Sequence, residues 1–103
     1  MKIIKKLSER IEDEIKDSKM YAKWAVEMKE ERRSLADALY ALSLDEMKHA
    51  MTLHGEVTAI ISEYRAEHGE PPEAMLAVYN YLHERQMEKC NEAKNYQSMY
   101  REA

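Results

Sequence analysis

The chain has very few of the residues that make tight turns, strands or covalent cross-links. It contains no phenylalanine, two glycines, two prolines and one cysteine among its 103 residues. The lone cysteine, Cys90, excludes an internal disulfide and a metal cage made only of cysteines from one chain. The common residues are instead straight-chain helix formers such as Ala, Leu, Met, Glu and Lys. The composition therefore predicts an all-α fold.

Long apolar runs are also absent. No stretch approaches the roughly 20 apolar residues of a membrane-spanning helix, and residues 2–6 are not followed by the apolar core of a secretion signal. We therefore expect a cytoplasmic protein with no membrane partner. The net charge of −4, with acidic and basic residues interspersed, gives no reason to expect a nucleic-acid partner. The length predicts a single domain over residues 1–103.

Apolar residues that recur every three or four positions predict three helices, over about residues 2–29, 34–67 and 72–101. Residues 29–33 are all charged, so we expect a turn there, with Ser34 as the N-cap of the second helix. Gly69 is the predicted C-cap of that helix. The predicted arrangement is an antiparallel helical hairpin followed by a third long helix. In the first helix the residues predicted to be buried are Ile4, Leu7, Ile11, Ile15, Ser18, Tyr21, Ala25 and Met28. In the second helix they are Leu35, Leu39, Leu42, Leu53, Val57, Ile60 and Tyr64. In the third helix they are Met75, Val78, Tyr79, Leu82, Gln86, Cys90, Ala93, Tyr96 and Tyr100.

Three ionisable residues interrupt these apolar stripes. Glu14 takes a heptad position in the first helix, and the spacing from Leu42 continues onto Glu46 and His49. Burying an unpaired charge costs several kcal/mol or more, so such groups are neutralised, paired or bound to metal. The midpoint between Glu14 and the Glu46/His49 pair falls near residue 31, inside the charged turn. In an antiparallel hairpin the three side chains would therefore lie at the same height.

The chemistry of this set favours a transition metal with oxygen-rich coordination. Residues three apart on a helix share a face, so Glu46 and His49 can bind one ion from adjacent turns. Carboxylates with imidazole suit iron or manganese better than the thiolate-rich sites of structural zinc. The sequence therefore predicts Glu14, Glu46 and His49 as metal ligands and as the residues of the reaction site.

The segments Glu14-x6-Tyr21-Ala22 and Asp45-Glu46-x-x-His49-Ala50 resemble the first half of a ferritin-like or rubrerythrin-like domain. The short chain looks most like the encapsulated-ferritin type, whose chains hold half a site. The resemblance covers residues 11–53, less than half of the chain. It implies ferroxidase chemistry, in which Fe(II) is oxidised by O2 or peroxide. Tyr21 lies two turns past Glu14, where its hydroxyl could orient a ligand carboxylate, and a role as an ordinary packing residue fits Tyr21 equally well.

The chain departs from a complete ferritin because it contains one Glu-x-x-His only. A full di-iron bundle uses one glutamate from each of two helices and a Glu-x-x-His from each of the other two. Two copies of Glu14, Glu46 and His49 would supply that complement. We therefore expect a two-fold homodimer, or a higher even-numbered oligomer, whose hairpins form a ferritin-like four-helix bundle holding two irons per dimer, with manganese as the alternative metal. The tail that would direct such a protein into an encapsulating shell is not evident after Tyr100.

Two other readings remain open. A glutamate on an apolar stripe is more often paired with a basic residue than bound to metal, and a core histidine is more often a packing residue. The chain would then be a metal-free helical adaptor whose third helix docks a partner. A rubrerythrin-like peroxide reductase is the other alternative, which is weakened because the chain lacks the four cysteines of a rubredoxin electron-transfer module.

Overall fold

The computed structural model describes residues 2–102, so Met1 and Ala103, the two ends of the predicted domain, lie outside the described residues. It contains three helices, α1 (Lys2–Met28), α2 (Arg33–His68) and α3 (Glu73–Glu102). Residues 2–102 contain no strand, so the all-α prediction is confirmed, and each helix boundary falls within one residue of its prediction. The helices form an elongated body of 55 × 19 × 17 Å. Within the described part of the chain, no helix is both long and apolar enough to cross a bilayer.

The turn between α1 and α2 has its predicted length but begins and ends one residue earlier than predicted. Arg32 N–H donates to the carbonyl of Met28 at 2.8 Å, and Ala36 N–H donates to the carbonyl of Arg32 at 2.9 Å. Arg32 therefore occupies the N-cap position and makes no side-chain cap bond. The prediction of Ser34 as N-cap was wrong, because α2 already begins at Arg33. Gly69 does cap α2: it has a φ of 79°, which favours glycine, and donates its N–H to the carbonyl of Arg65 at 2.9 Å.

Half of the buried positions of α1 and α2 are alanine or serine. The buried positions of α1 are Ile4, Ile11, Glu14, Ile15, Ser18, Ala22 and Ala25. Those of α2 are Ala36, Leu39, Ser43, Met47 and Ala50. Leu35 and Leu42, which were predicted to be buried, are exposed. The buried face of α2 is therefore rotated by one residue, since alanine and serine allow a closer approach of the backbones than leucine does.

A polar network ties all three helices together in the middle of the bundle. The Ser18 hydroxyl donates to the carbonyl of Ser43 at 2.8 Å, and the Ser43 hydroxyl donates to the carbonyl of Ser18 at 2.7 Å. From α3, Gln97 Nε2 donates to the Ser43 hydroxyl at 2.9 Å and to the Ser18 hydroxyl at 3.3 Å. All three side chains are buried. Because these hydrogen bonds join one specific residue from each helix, the network favours one register of the hairpin and of α3.

The third helix packs on one face of the hairpin and leaves the other face open. It contacts α1 through Glu92, 3.1 Å from Lys19, and Arg85, 3.8 Å from Glu12. It contacts α2 through the Tyr100 hydroxyl, which donates to Asp37. This hydrogen bond lowers the pKa of the Asp37 carboxyl.

The candidate ligands Glu14, Glu46 and His49 lie on the face of the hairpin that α3 leaves uncovered. At 3.6 residues per turn, Glu12 and Lys19 are about 160° and about 140° around α1 from Glu14. By the same measure Asp37 lies about 180° around α2 from Glu46. Because α3 binds Glu12, Lys19 and Asp37, the predicted ligands lie on the side of the hairpin that α3 does not cover.

The buried face of α3 agrees with its prediction at Gln86, Cys90, Ala93 and Tyr100 and differs from it at Val78. Its buried residues are Gln86, Cys90, Ala93, Gln97 and Tyr100. Val78, which was predicted to be buried, is exposed. The first three turns of α3 therefore pack less closely on the hairpin than the later turns do.

We expect Ser18→Ala to lower the free energy of unfolding by about 1 kcal/mol, because it removes the hydroxyl that donates to the Ser43 carbonyl and that accepts one of the two hydrogen bonds from Gln97 Nε2. Ser34→Ala is the matched control, since Ser34 is exposed, and we expect a change of at most about 0.5 kcal/mol. Urea unfolding followed by circular dichroism measures both values. Equal effects of the two substitutions would contradict a stabilising role of the network.

Candidate metal centre

The hairpin brings the three predicted ligands into one cluster. Glu14, Glu46 and His49 each present one ligand atom, and these atoms lie within 4.8 Å of one another. His49 Nδ1 is 3.6 Å from Glu14 Oε2 and 3.9 Å from Glu46 Oε1. Both separations are too long for hydrogen bonds and leave room for a bridging atom. The predicted height match across the antiparallel hairpin is thus confirmed, whereas metal binding itself stays a prediction.

Each side chain is positioned by its place on the helix. Glu14 comes from the seam of α1, and Glu46 and His49 come from adjacent turns of α2, three residues apart. The exposed fractions of the side chains are 10% for Glu14, 20% for Glu46 and 58% for His49. Glu14, Glu46 and His49 therefore form a shallow depression, here called the cup, in which Glu14 is the most buried residue and His49 the most exposed.

Only one of the two oxygens of the Glu14 carboxylate has a hydrogen-bond partner. Its Oε1 accepts a hydrogen bond from Arg10 Nη2, one turn earlier on α1. Its Oε2 is buried and has no hydrogen-bond partner. An ionised oxygen buried without a partner is costly. The orphaned atom is the one that faces His49, so a cation in the cup would satisfy it.

The donor set fits a divalent transition metal. Two carboxylates give a charge of −2, which matches an ion of charge +2, and the neutral imidazole adds the nitrogen ligand that iron and manganese accept. Three protein ligands leave coordination positions free for a second set of ligands or for a reactant. The residues present therefore fit half of a di-iron carboxylate site.

Tyr21 lies away from the cluster within one chain. It is seven residues from Glu14, or ~10 Å along the helix axis. Its ring packs against the cluster formed by Ala25, Ala36, Leu39 and Tyr100 near the turn. The packing role that the sequence allowed is present, and the role of Tyr21 behind a ligand stays a prediction.

Cys90 also lies outside the cup. It packs in the core with Ile11, Ile15 and Met47. Burial raises the pKa of its thiol, which keeps it protonated and unreactive.

Two features of the structure were not predicted from the sequence. Arg10 was detectable, because an arginine four residues before a glutamate on a helix commonly pairs with it. The second feature is a histidine pair between α2 and α3, with His54 Nε2 3.1 Å from His83 Nδ1. His54 is half-buried, and no local pattern indicates which residue of α3 would meet it.

Three exposed apolar side chains of the hairpin lie between the cup and the α1–α2 turn. Leu35 and Leu42 precede Glu46 at helical spacing on α2, and Trp24 follows Tyr21 by three residues on α1. All three apolar side chains are exposed. We call Trp24, Leu35 and Leu42, together with the cup, the open face.

A comparison of the chain with protein-family models, curated proteins and solved structures finds no match in any of the three.

We expect Glu14→Met to stabilise the metal-free protein by ~1–3 kcal/mol, because it replaces a buried, half-satisfied carboxylate with an apolar side chain of similar size. The control is Glu9→Met, an exposed acid on the same helix, which we expect to change stability by at most about 0.5 kcal/mol. Both variants are unfolded with urea in the presence of a chelator. A loss of stability in Glu14→Met would show that the carboxylate serves packing rather than a ligand.

Proposed function

We propose that the protein is a di-iron carboxylate protein that oxidises Fe(II) at a site shared by two copies of the chain. The observation that carries the proposal is the orphaned Oε2 of Glu14, which is buried beside Glu46 and His49 with all three ligand atoms within 4.8 Å. The resemblance of these segments to the first half of a ferritin-like domain points to the same chemistry.

The number of ligands argues for two chains. One chain supplies two carboxylates and one imidazole, whereas a di-iron bundle uses four carboxylates and two imidazoles. A two-fold axis beside the cup doubles the set and brings two hairpins together as a four-helix bundle. Such an interface is self-complementary, so each residue of the open face meets the same surface of the partner copy.

The open face supports this arrangement. Within residues 2–102, Trp24, Leu35 and Leu42 keep 48%, 44% and 41% of their surface exposed, so each leaves apolar area for a partner to cover. Burial of these side chains against a second copy would remove about 25 cal/mol of unfavourable hydration for each Å² of apolar area. It would also shield His49, the most exposed of the three ligands.

In this proposal iron is the substrate, and the chain's own residues hold it and balance its charge. Glu14 and Glu46 bind Fe(II) as anions, and His49 binds as a neutral imidazole. Arg10 holds Glu14 Oε1 and so turns Oε2 towards the ion. Oxidation of two Fe(II) to Fe(III) releases two electrons. These electrons and two protons convert O2 to H2O2, or H2O2 to two water molecules.

A metal-free adaptor is the second candidate, and one observation favours it. Val78 and Tyr81 on α3 are exposed apolar side chains that a partner protein could cover. This alternative predicts that Glu14, Glu46 and His49 can each be replaced without loss of function.

Iron binding separates the two candidates. We expect anaerobic loading with Fe(II) to give about two irons per dimer, and admission of O2 to change the ultraviolet absorbance while the oxygen electrode records one O2 consumed per two Fe(II). The variant His49→Ala should lose both signals because it removes a ligand from each half-site. His68→Ala, an exposed histidine at the end of α2, is the control and should behave as wild type. Equal iron uptake by wild type and the triple alanine variant at Glu14, Glu46 and His49 would refute the site.

The dimer has a separate test on two leucines of α2. Leu42 and Leu44 are each 41% exposed, but only Leu42 lies at helical spacing from Glu46 and His49. We expect Leu42→Glu to weaken dimerisation at least tenfold, because it puts a charge into the proposed interface, and Leu44→Glu to leave it unchanged. Sedimentation of the iron-loaded proteins over a range of concentrations measures both. An unchanged mass for Leu42→Glu would place the interface elsewhere.

A further inference from the structure

The histidine pair joins α2 to the first half of α3. His54 Nε2 lies 3.1 Å from His83 Nδ1, and the two ring centroids are 5.1 Å apart, so these nitrogens are on the facing edges of the rings. Within residues 2–102, the pair is the one polar side-chain contact between α2 and residues 73–88. Gln97 and Tyr100 hold the second half of α3 to α2. A ligand that bound both rings would therefore hold the first half of α3 to α2.

The distance between the two nitrogens suits two ligands of one metal ion. Imidazole nitrogen binds zinc at about 2.0–2.1 Å. With both nitrogens at that distance, their separation of 3.1 Å gives an angle of roughly 100° at the ion. This angle lies between the right angle of square-planar sites and the wider angle of tetrahedral sites. One ion can therefore bind both rings without a change in the separation of the two nitrogens.

Both rings can act as neutral ligands. Burial, together with the neighbouring His83, lowers the pKa of His54, which favours the neutral imidazole that a metal requires. In the neutral pair, one of the facing nitrogens carries the proton of the hydrogen bond. Metal binding moves that proton to the other nitrogen of the same ring. The pair then offers two lone pairs and releases no proton.

The space beside the histidine pair can hold the other ligands of an ion. Both histidines line an open cavity of ≈ 230 Å³, together with polar residues such as Thr58, Ser62 and Asn80. A water molecule occupies about 30 Å³ in the liquid, so water can complete the coordination. The described residues that line the cavity include no Asp or Glu. This donor set favours an ion that accepts imidazole, such as Zn(II), over Mg(II) and Ca(II), which prefer oxygen ligands.

We propose that His54 and His83 bind one divalent ion of the Zn(II) and Cu(II) class, which holds the first half of α3 against α2. Each helix supplies one imidazole, and water supplies the remaining ligands. This inference does not rest on the di-iron proposal, since none of the three candidate ligands of the cup lines the cavity. Because only the folded chain brings the two rings together, the ion stabilises the folded state by mass action.

Zn(II) is the probe, and Mg(II) is its control. The titration uses the triple alanine variant at Glu14, Glu46 and His49, so that the cup takes up no ion. We expect calorimetry to show one Zn(II) per chain and the midpoint of thermal unfolding to rise by at least about 5 °C at saturating Zn(II). Mg(II) should change neither quantity. Absence of Zn(II) binding, or binding without a rise in the midpoint, would overturn the proposal.

The wild-type protein gives a second measurement that does not depend on the triple variant. We expect excess Zn(II) to shift the proton NMR signals of the His54 and His83 rings. It should also slow hydrogen exchange of the backbone amides of residues 77–86, because the ion holds this part of α3 to α2. Ring signals that stay in place under saturating Zn(II) would contradict the proposed site.

Two variants assign the ion to the pair. His54→Gln and His83→Gln each leave a single imidazole, so we expect either change in the triple alanine variant to weaken Zn(II) binding at least about tenfold. The rise in the unfolding midpoint should then be lost. His68→Gln is the matched control, since His68 is an exposed histidine at the end of α2, and it should leave Zn(II) affinity unchanged. Unchanged affinity in His54→Gln or His83→Gln would exclude a site that uses both rings.

Discussion

The half-satisfied carboxylate of Glu14 is the interaction on which the account depends. One of its oxygens is held by Arg10, and the other is buried without a partner in the seam of the hairpin. An apolar residue at this position would pack at lower cost. A carboxylate at this position therefore indicates a ligand role, because Glu46 and His49 lie where one cation could contact all three side chains.

The packing of α1 on α2 makes this arrangement possible. Serine and alanine in the seam let the helices approach closely, and the reciprocal bonds between Ser18 and Ser43 set their register. The same register places Glu14 opposite Glu46. Gln97 then anchors α3 to this network from the far side, which leaves the open face uncovered. The same small and polar residues therefore hold the hairpin together and leave the candidate ligands on a face that α3 does not cover.

Much of this was predictable from sequence, for reasons that are local. The helix boundaries follow from apolar spacing and from the charged turn, and the height match of Glu14 with His49 follows from counting residues on either side of it. Which face of α2 is buried was not predictable from apolarity, because Leu42 is more hydrophobic than Ser43 but too large for the close seam. The pairing of His54 with α3 depends on where α3 crosses, which no spacing within one helix encodes.

The most direct test of the shared centre is iron-edge anomalous diffraction from crystals grown after anaerobic Fe(II) loading. A site shared by two chains predicts two iron peaks per pair of chains, close to a two-fold axis, each within coordination distance of Glu14, Glu46 and His49 side chains from both copies. Iron peaks bound by a single chain, with the open face turned to solvent or covered by a different surface, would contradict it.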